Sequence, residues 1–149
     1  MPESRKFFVT QYAAIFDSED RLLLLRDATH DSVKGKWIFP GGHIDMETGP
    51  LAALAREVKE ETNLKMTAAW VFRTAIKKYS DGNWRFVVYY VCHAKGKVRL
   101  DKDHDAYEWA DIEKTKKMKF RDNEEKQIII ELLKRKRGEG ASQHPAPLL

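Results

Sequence analysis

The chain has 149 residues, of which 42% are hydrophobic and 34% charged, with a formal net charge of +4. That length suits one globular domain with a sizeable core, and that balance excludes a disordered chain. The longest wholly aliphatic run, Leu22-Leu23-Leu24-Leu25, is too short to cross a bilayer, and the first residues lead into no signal-type apolar stretch, so a cytoplasmic address without membrane contact is expected.

Residues 7–16 are rich in β-branched and aromatic side chains and predict a strand. Asp17-Ser18-Glu19-Asp20 is turn chemistry, and residues 21–26 predict the returning strand. After a polar stretch comes a short strand at Lys36-Trp37-Ile38-Phe39, which Pro40-Gly41-Gly42 interrupts to open a loop. A helix is expected over 49–62, with Thr48 as its N-cap and Pro50 in the first turn. Two long strands, 66–78 and 84–94, flank the hairpin signal Ser80-Asp81-Gly82-Asn83. A further strand at 106–110 precedes a last helix that starts near Asp122 or Asn123. Glu125 stands three residues after Asp122, as in a capping box, and the apolar stripe is Ile128, Ile129, Leu132 and Leu133.

Several strands with one helix in mid-chain and one at the end indicate an α+β fold, a mixed β-sheet packed between helices. The expected organisation is a single domain over 1–137 and an unstructured tail over 138–149, rich in Gly, Ala, Ser and Pro. Cys92 is the only cysteine, so no intrachain disulfide and no cysteine-based zinc site can form. Much of the positive charge lies in Lys134-Arg135-Lys136-Arg137. It reads as a solvated helix end, because no aromatic residue is interleaved as a nucleic-acid surface would need.

The chemistry concentrates on the helix. At ~100° per residue, Leu51, Leu54, Ala55, Val58 and Thr62 form one stripe that can face a core. Glu57, Glu60 and Glu61 form a second, spaced i, i+3 and i+4, where like charges repel. A divalent cation turns that repulsion into binding, and magnesium takes one or two carboxylates completed by water and phosphate. Arg56, four residues before Glu60, can steady a carboxylate from the flank. Taken alone, the three glutamates fit a solvated acidic face equally well. Gly41-Gly42 permits close backbone approach and exposes carbonyls beside the helix, and carbonyl oxygen is another magnesium ligand.

With Gly42, and with Arg56-Glu57-Val58-Lys59-Glu60-Glu61-Thr62 in register behind it, the chain resembles the MutT/Nudix hydrolase family. Trp37-Ile38-Phe39-Pro40-Gly41-Gly42 is similar to the segment that leads into that family's motif, and the likeness runs loosely over residues 5–135. Two positions depart from the signature. Its first glutamate falls on Thr48, with Glu47 one residue early, and its closing glycine is Asn63, a residue suited to a left-handed helix end.

The resemblance implies a Nudix fold, an α/β/α sandwich, and magnesium-dependent attack of water on a phosphorus of a nucleoside diphosphate linked to a group X, with manganese as an alternative ion. By carry-over, the metal ligands are Glu57, Glu60, Glu61 and the Gly41 carbonyl, with Glu60 either a ligand or a water-positioning base. Asp103, in a loop with Asp101 and Asp105, is the distal candidate for the base; a solvated acidic loop is the alternative, and His104 beside it reads as structural. Arg26 reaches a phosphate or makes a surface ion pair. Asn123 holds a purine base or caps the last helix. Phe39, like Trp37, Trp70 and Trp84, stacks on a base or belongs to the core, and His43 lines the site.

A nucleoside triphosphate pyrophosphohydrolase acting as a monomer or homodimer is the leading expectation. The lack of an extra N-terminal region leans towards nucleotides. Sugar-nucleotide, dinucleotide polyphosphate and capped-RNA substrates stay open within the class. So does a non-catalytic nucleotide-binding module, from which loss of the metal glutamates would be expected.

Overall fold

The computed structural model describes residues 7–44, 48–136 and 146–147. Strands β1 (Phe8–Ile15), β2 (Leu22–Asp27), β3 (Trp37–Ile38) and β4 (Gly41–His43) precede helix α1 (Pro50–Thr62). Strands β5 (Lys65–Lys78), β6 (Trp84–Lys95) and β7 (His104–Ala110) follow, then the one-turn α2 (Ile112–Thr115), α3 (Asn123–Lys134) and β8 (Ala146–Pro147).

The strands divide between two sheets. One has the order β4-β1-β6-β5-β8 and is mixed, because β1 runs parallel to β6. The other is antiparallel, with the order β3-β2-β7. The expected hairpin of β1 and β2 therefore exists only at its base. Asp17 closes the turn by accepting from the Glu19 and Arg21 amides at 2.9 Å, and a single bridge joins Phe16 to Leu22 before the two strands part into different sheets. The Asp-Gly hairpin between β5 and β6 forms as read, with Gly82 at φ 84°.

Alternation along β1 and β2 feeds two cores. Ala13, Ile15, Leu23 and Leu25 meet Leu54 and Val58 of α1. Tyr12, Ala14, Leu22 and Leu24 join Val87, Tyr89 and the α3 stripe of Ile128, Ile129, Leu132 and Leu133. Helices thus cover opposite faces, which is the expected α+β sandwich.

Three local expectations need correction. Gly41-Gly42 does not open a loop: it pairs with Tyr12 and Gln11 as part of β4. The N-cap of α1 is Gly49, at φ 84° and without a side-chain bond, not Thr48; Pro50 takes the first helical position. In the last helix Asp122 is the N-cap, accepting from the Glu125 amide at 2.8 Å, but the return half of a capping box is missing. The Glu125 side chain turns into the core instead, where its carboxylate lies 3.5 Å from Arg121. Asn63 ends α1 in the left-handed conformation at φ 67°, as its residue type allows. Glu47 lies outside the described residues. So does the tail expected over 138–149, apart from Ala146–Pro147, which pairs with β5 at Ala69 and Ala68.

Candidate active site

Helix α1 is clamped onto the β1–β4 ribbon. The buried Gln11 side chain donates to the Pro50 carbonyl at 2.7 Å and ties the start of the helix to β1. The close approach depends on the two glycines. A Cβ on Gly41, at φ 148°, would stand 2.1 Å from the Gln11 carbonyl oxygen, so no other residue fits. A Cβ on Gly42 would press on the Glu57 carboxylate at 3.3–3.4 Å. The glycine pair therefore makes room for a carboxylate to lie against a strand.

The three glutamates are not equivalent. Glu61 is 8% exposed and accepts from the Gly41 amide at 3.2 Å. Burial holds its carboxyl well above the usual range against that opposing amide, and the charges of Glu57, Asp101 and Glu60 add to the effect. Glu57 is also raised, by burial first and then by Glu60. Glu60 is the outermost, its side chain 60% exposed, and Arg56 stands 3.8 Å from it and 4.0 Å from Glu57. Arg56 thus sits on the flank, as the spacing predicts.

A cleft of about 430 Å³ opens over these residues. Its second wall comes from two loops stitched together: the Ala28 amide donates to the Asp103 carbonyl at 2.8 Å and the Thr29 hydroxyl to the Asp103 carboxylate at 3.0 Å. Two Asp–His pairs stand in this wall, Asp27–His30 at 2.8 Å and Asp101–His104 at 2.7 Å. The far end is aromatic and cationic. Tyr79 lies under both Arg85 and Arg121, whose guanidinium carbons are 4.5 and 4.7 Å from the ring centre, and its hydroxyl meets that of Tyr12 at 3.0 Å.

Gly41, Glu57, Glu60, Glu61, Asp101, Asp103, His104 and His43 all line this cleft. Phe39 forms its floor but is 1% exposed, packed on Tyr12 and Tyr89, so it offers no free face for stacking. Arg26 and Asn123 do not line the cleft. Arg26 is held outside it by Asp105 at 2.7 Å, over the Trp37 ring, and Asn123 is exposed at the start of α3. Trp70 and Trp84 also lie elsewhere, Trp70 edge-on to His93. Sequence reading missed Asp27, His30, Tyr79, Arg85 and Arg121. No periodic signal marks them, since only the strand register and the loop stitching bring them to one place.

The donor chemistry of the glutamates and the Gly41 carbonyl fits a hard divalent cation: oxygen atoms only, with carboxyls raised by burial first and by one another second, and with Arg56 set to the side. Among the described residues no three acidic, histidine or cysteine side chains already form a metal-holding group.

Fold and site together define an α+β protein whose glutamate helix and glycine strand share a cleft suited to a cation and a polyanion. A sequence model of the NUDIX domain matches residues 6–133, and the chain belongs to the Nudix hydrolase family. It is 28% identical over 114 residues to the nucleoside triphosphatase NudI of Klebsiella pneumoniae (strain 342), a match that covers 68% of this chain and 81% of that one. Among solved structures it is similar to a MutT protein from Methanosarcina mazei Go1 (TM-score 0.75, 22% identity, 95% of this chain and 100% of that one). It is also similar to the NUDIX domain of Shewanella oneidensis NrtR, solved in complex with ADP ribose (TM-score 0.72, 18% identity, 90% of each chain).

Proposed function

We propose that this hydrolase is magnesium-dependent and cleaves nucleoside triphosphates to a nucleoside monophosphate and pyrophosphate. The observation that carries the reading is the packing of half-buried Glu57 and buried Glu61 against Gly41-Gly42, which crowds carboxylates at one end of a cleft whose other end is aromatic and cationic. The name of the NudI relative supports the triphosphate class.

Glu57 and Glu61 would hold the ion, with Glu60 and the Gly41 carbonyl as further donors, and Arg56 steadies the glutamates from the flank. When bound, magnesium supplies charge neutralisation at the phosphate oxygens and a more acidic bound water. Tyr79, with Arg85 and Arg121 beside it, takes the group at the other end of the substrate, in place of Arg26, Phe39 and Asn123.

The test is a panel of nucleoside triphosphates with magnesium, reading pyrophosphate against phosphate. Release of pyrophosphate that stops on chelation is the expected result. Absence of turnover for every nucleotide, with magnesium and with manganese, would refute the proposal.

A further inference from the structure

The wall opposite the glutamates contains a device that metal binding does not use. Asp27 ends β2 with its side chain 1% exposed, and three donors converge on it: the Thr29 amide at 3.0 Å, the His30 amide at 2.8 Å and the His30 ring Nδ1 at 2.8 Å. A carboxylate partner requires the hydrogen on Nδ1, in either charge state of the ring. Nε2 is therefore the nitrogen left over, on a side chain that is 62% exposed and lines the same cleft as Glu57, Glu60 and Glu61. The ring is held through Nδ1 on a residue that lines the cleft, which leaves Nε2 as the nitrogen able to exchange a proton there.

Resting on the hydrolase reading above, we propose that His30 is the general base of the reaction and that Asp27 is its positioning residue. The Nε2 lone pair takes a proton from the attacking water as the water oxygen forms its bond to phosphorus. The bridging P–O bond breaks, and its electron pair leaves with the departing phosphate oxygen. The imidazolium is balanced by Asp27 and returns its proton to solvent through the exposed ring edge.

Other candidates in the cleft are engaged differently. His104 is 5% exposed and bound to Asp101, and His43 meets Thr10 at the Arg85 end. The Asp103 carboxylate already accepts from Thr29. Through that bond and the Ala28 amide, Asp103 holds the loop that carries His30, so the acid picked out by sequence supports the base instead of serving as one.

The experiment compares the wild type with H30A and H30N on a nucleoside triphosphate that the wild type hydrolyses. Asn at this position retains a donor for Asp27 but has no outward basic nitrogen, so a structural role and a base role separate. Expected is a fall in kcat of about 100-fold in both variants with KM little changed, and saturable rescue of H30A by imidazole that grows with the basicity of substituted imidazoles. Wild-type kcat in H30N, or a loss in H30A that imidazole does not repair, would overturn the assignment while leaving the hydrolase intact. A wild type inactive on every nucleotide would instead bring down the hydrolase reading, and this assignment with it.

Discussion

Glu61 stands at a helix–strand contact where an apolar side chain would serve stability better. Among the described residues its charge has one amide donor and no cation at hydrogen-bond distance, and burial drives its carboxyl well above the ordinary range. The sign of the consequence follows from linkage. A carboxyl raised on folding favours the folded state below its unfolded pKa and loses that contribution as pH rises through the folded one. In chelator at neutral to alkaline pH the carboxylate is therefore a burden, and Glu61→Gln, which keeps the shape without the charge, should raise the metal-free melting temperature. The gain should shrink towards acidic pH. The same substitution should abolish turnover. Calorimetry across pH with the assay alongside checks both, and a variant that melts lower at high pH would show that the carboxylate is satisfied in the folded protein.

Elements were legible where one local signal decided them, and illegible where a distant partner did. The 14-residue β5 and 12-residue β6 were readable from composition and an Asp-Gly turn, and α3 from its stripe. Gly41-Gly42 looked like a loop because glycine weakens a strand, yet β1 captures it as β4 through backbone pairing that no side chain advertises. The one-turn α2 carries too few residues to show a period. Asp122 and Asn123 were both candidates for the start of α3; Asp122 is the cap, accepting from the Glu125 amide, and a contact 45 residues away holds its other oxygen, where Lys77 on β5 donates at 2.7 Å. Although burial raises the Asp122 carboxyl, the Lys77 bond and the Glu125 amide lower it overall. A lowered carboxyl stabilises the fold above its unfolded pKa and ceases to as pH falls through the folded one. Asp122→Ala should therefore cost about 2 kcal/mol near neutral pH, the cap plus part of an ion pair whose lysine is buried and whose acid is half-exposed. Urea titrations should show that gap closing in acid. Asn123→Ala, outside both interactions, should leave stability nearly unchanged.

At the scale of the whole molecule, the cleft lies between the two sheets. The glutamate helix and β4 belong with the five-stranded sheet, while the loop after β2 and the approach to β7 belong with the three-stranded one. The metal-facing trio was readable because all three glutamates share one helix. The opposite wall was legible only in part: the Asp101, Asp103 and His104 loop stood out and Asp27–His30 is a pair three residues apart, but the two halves meet only through pairing of β2 with β7. A ligand that touches both walls has to hold the sheets in one relative position, and anything that binds only the folded state stabilises it by mass action. Magnesium alone should act on one wall, and magnesium with a non-hydrolysable nucleoside triphosphate on both. Amide hydrogen exchange gives the readout: magnesium should slow exchange at Gly41 and along α1, whereas the ternary mixture should also slow it across residues 28–36 and 101–103. Protection confined to α1 in the ternary mixture would mean that the nucleotide does not bridge the sheets, and the cleft would then need to be redrawn around its acidic end.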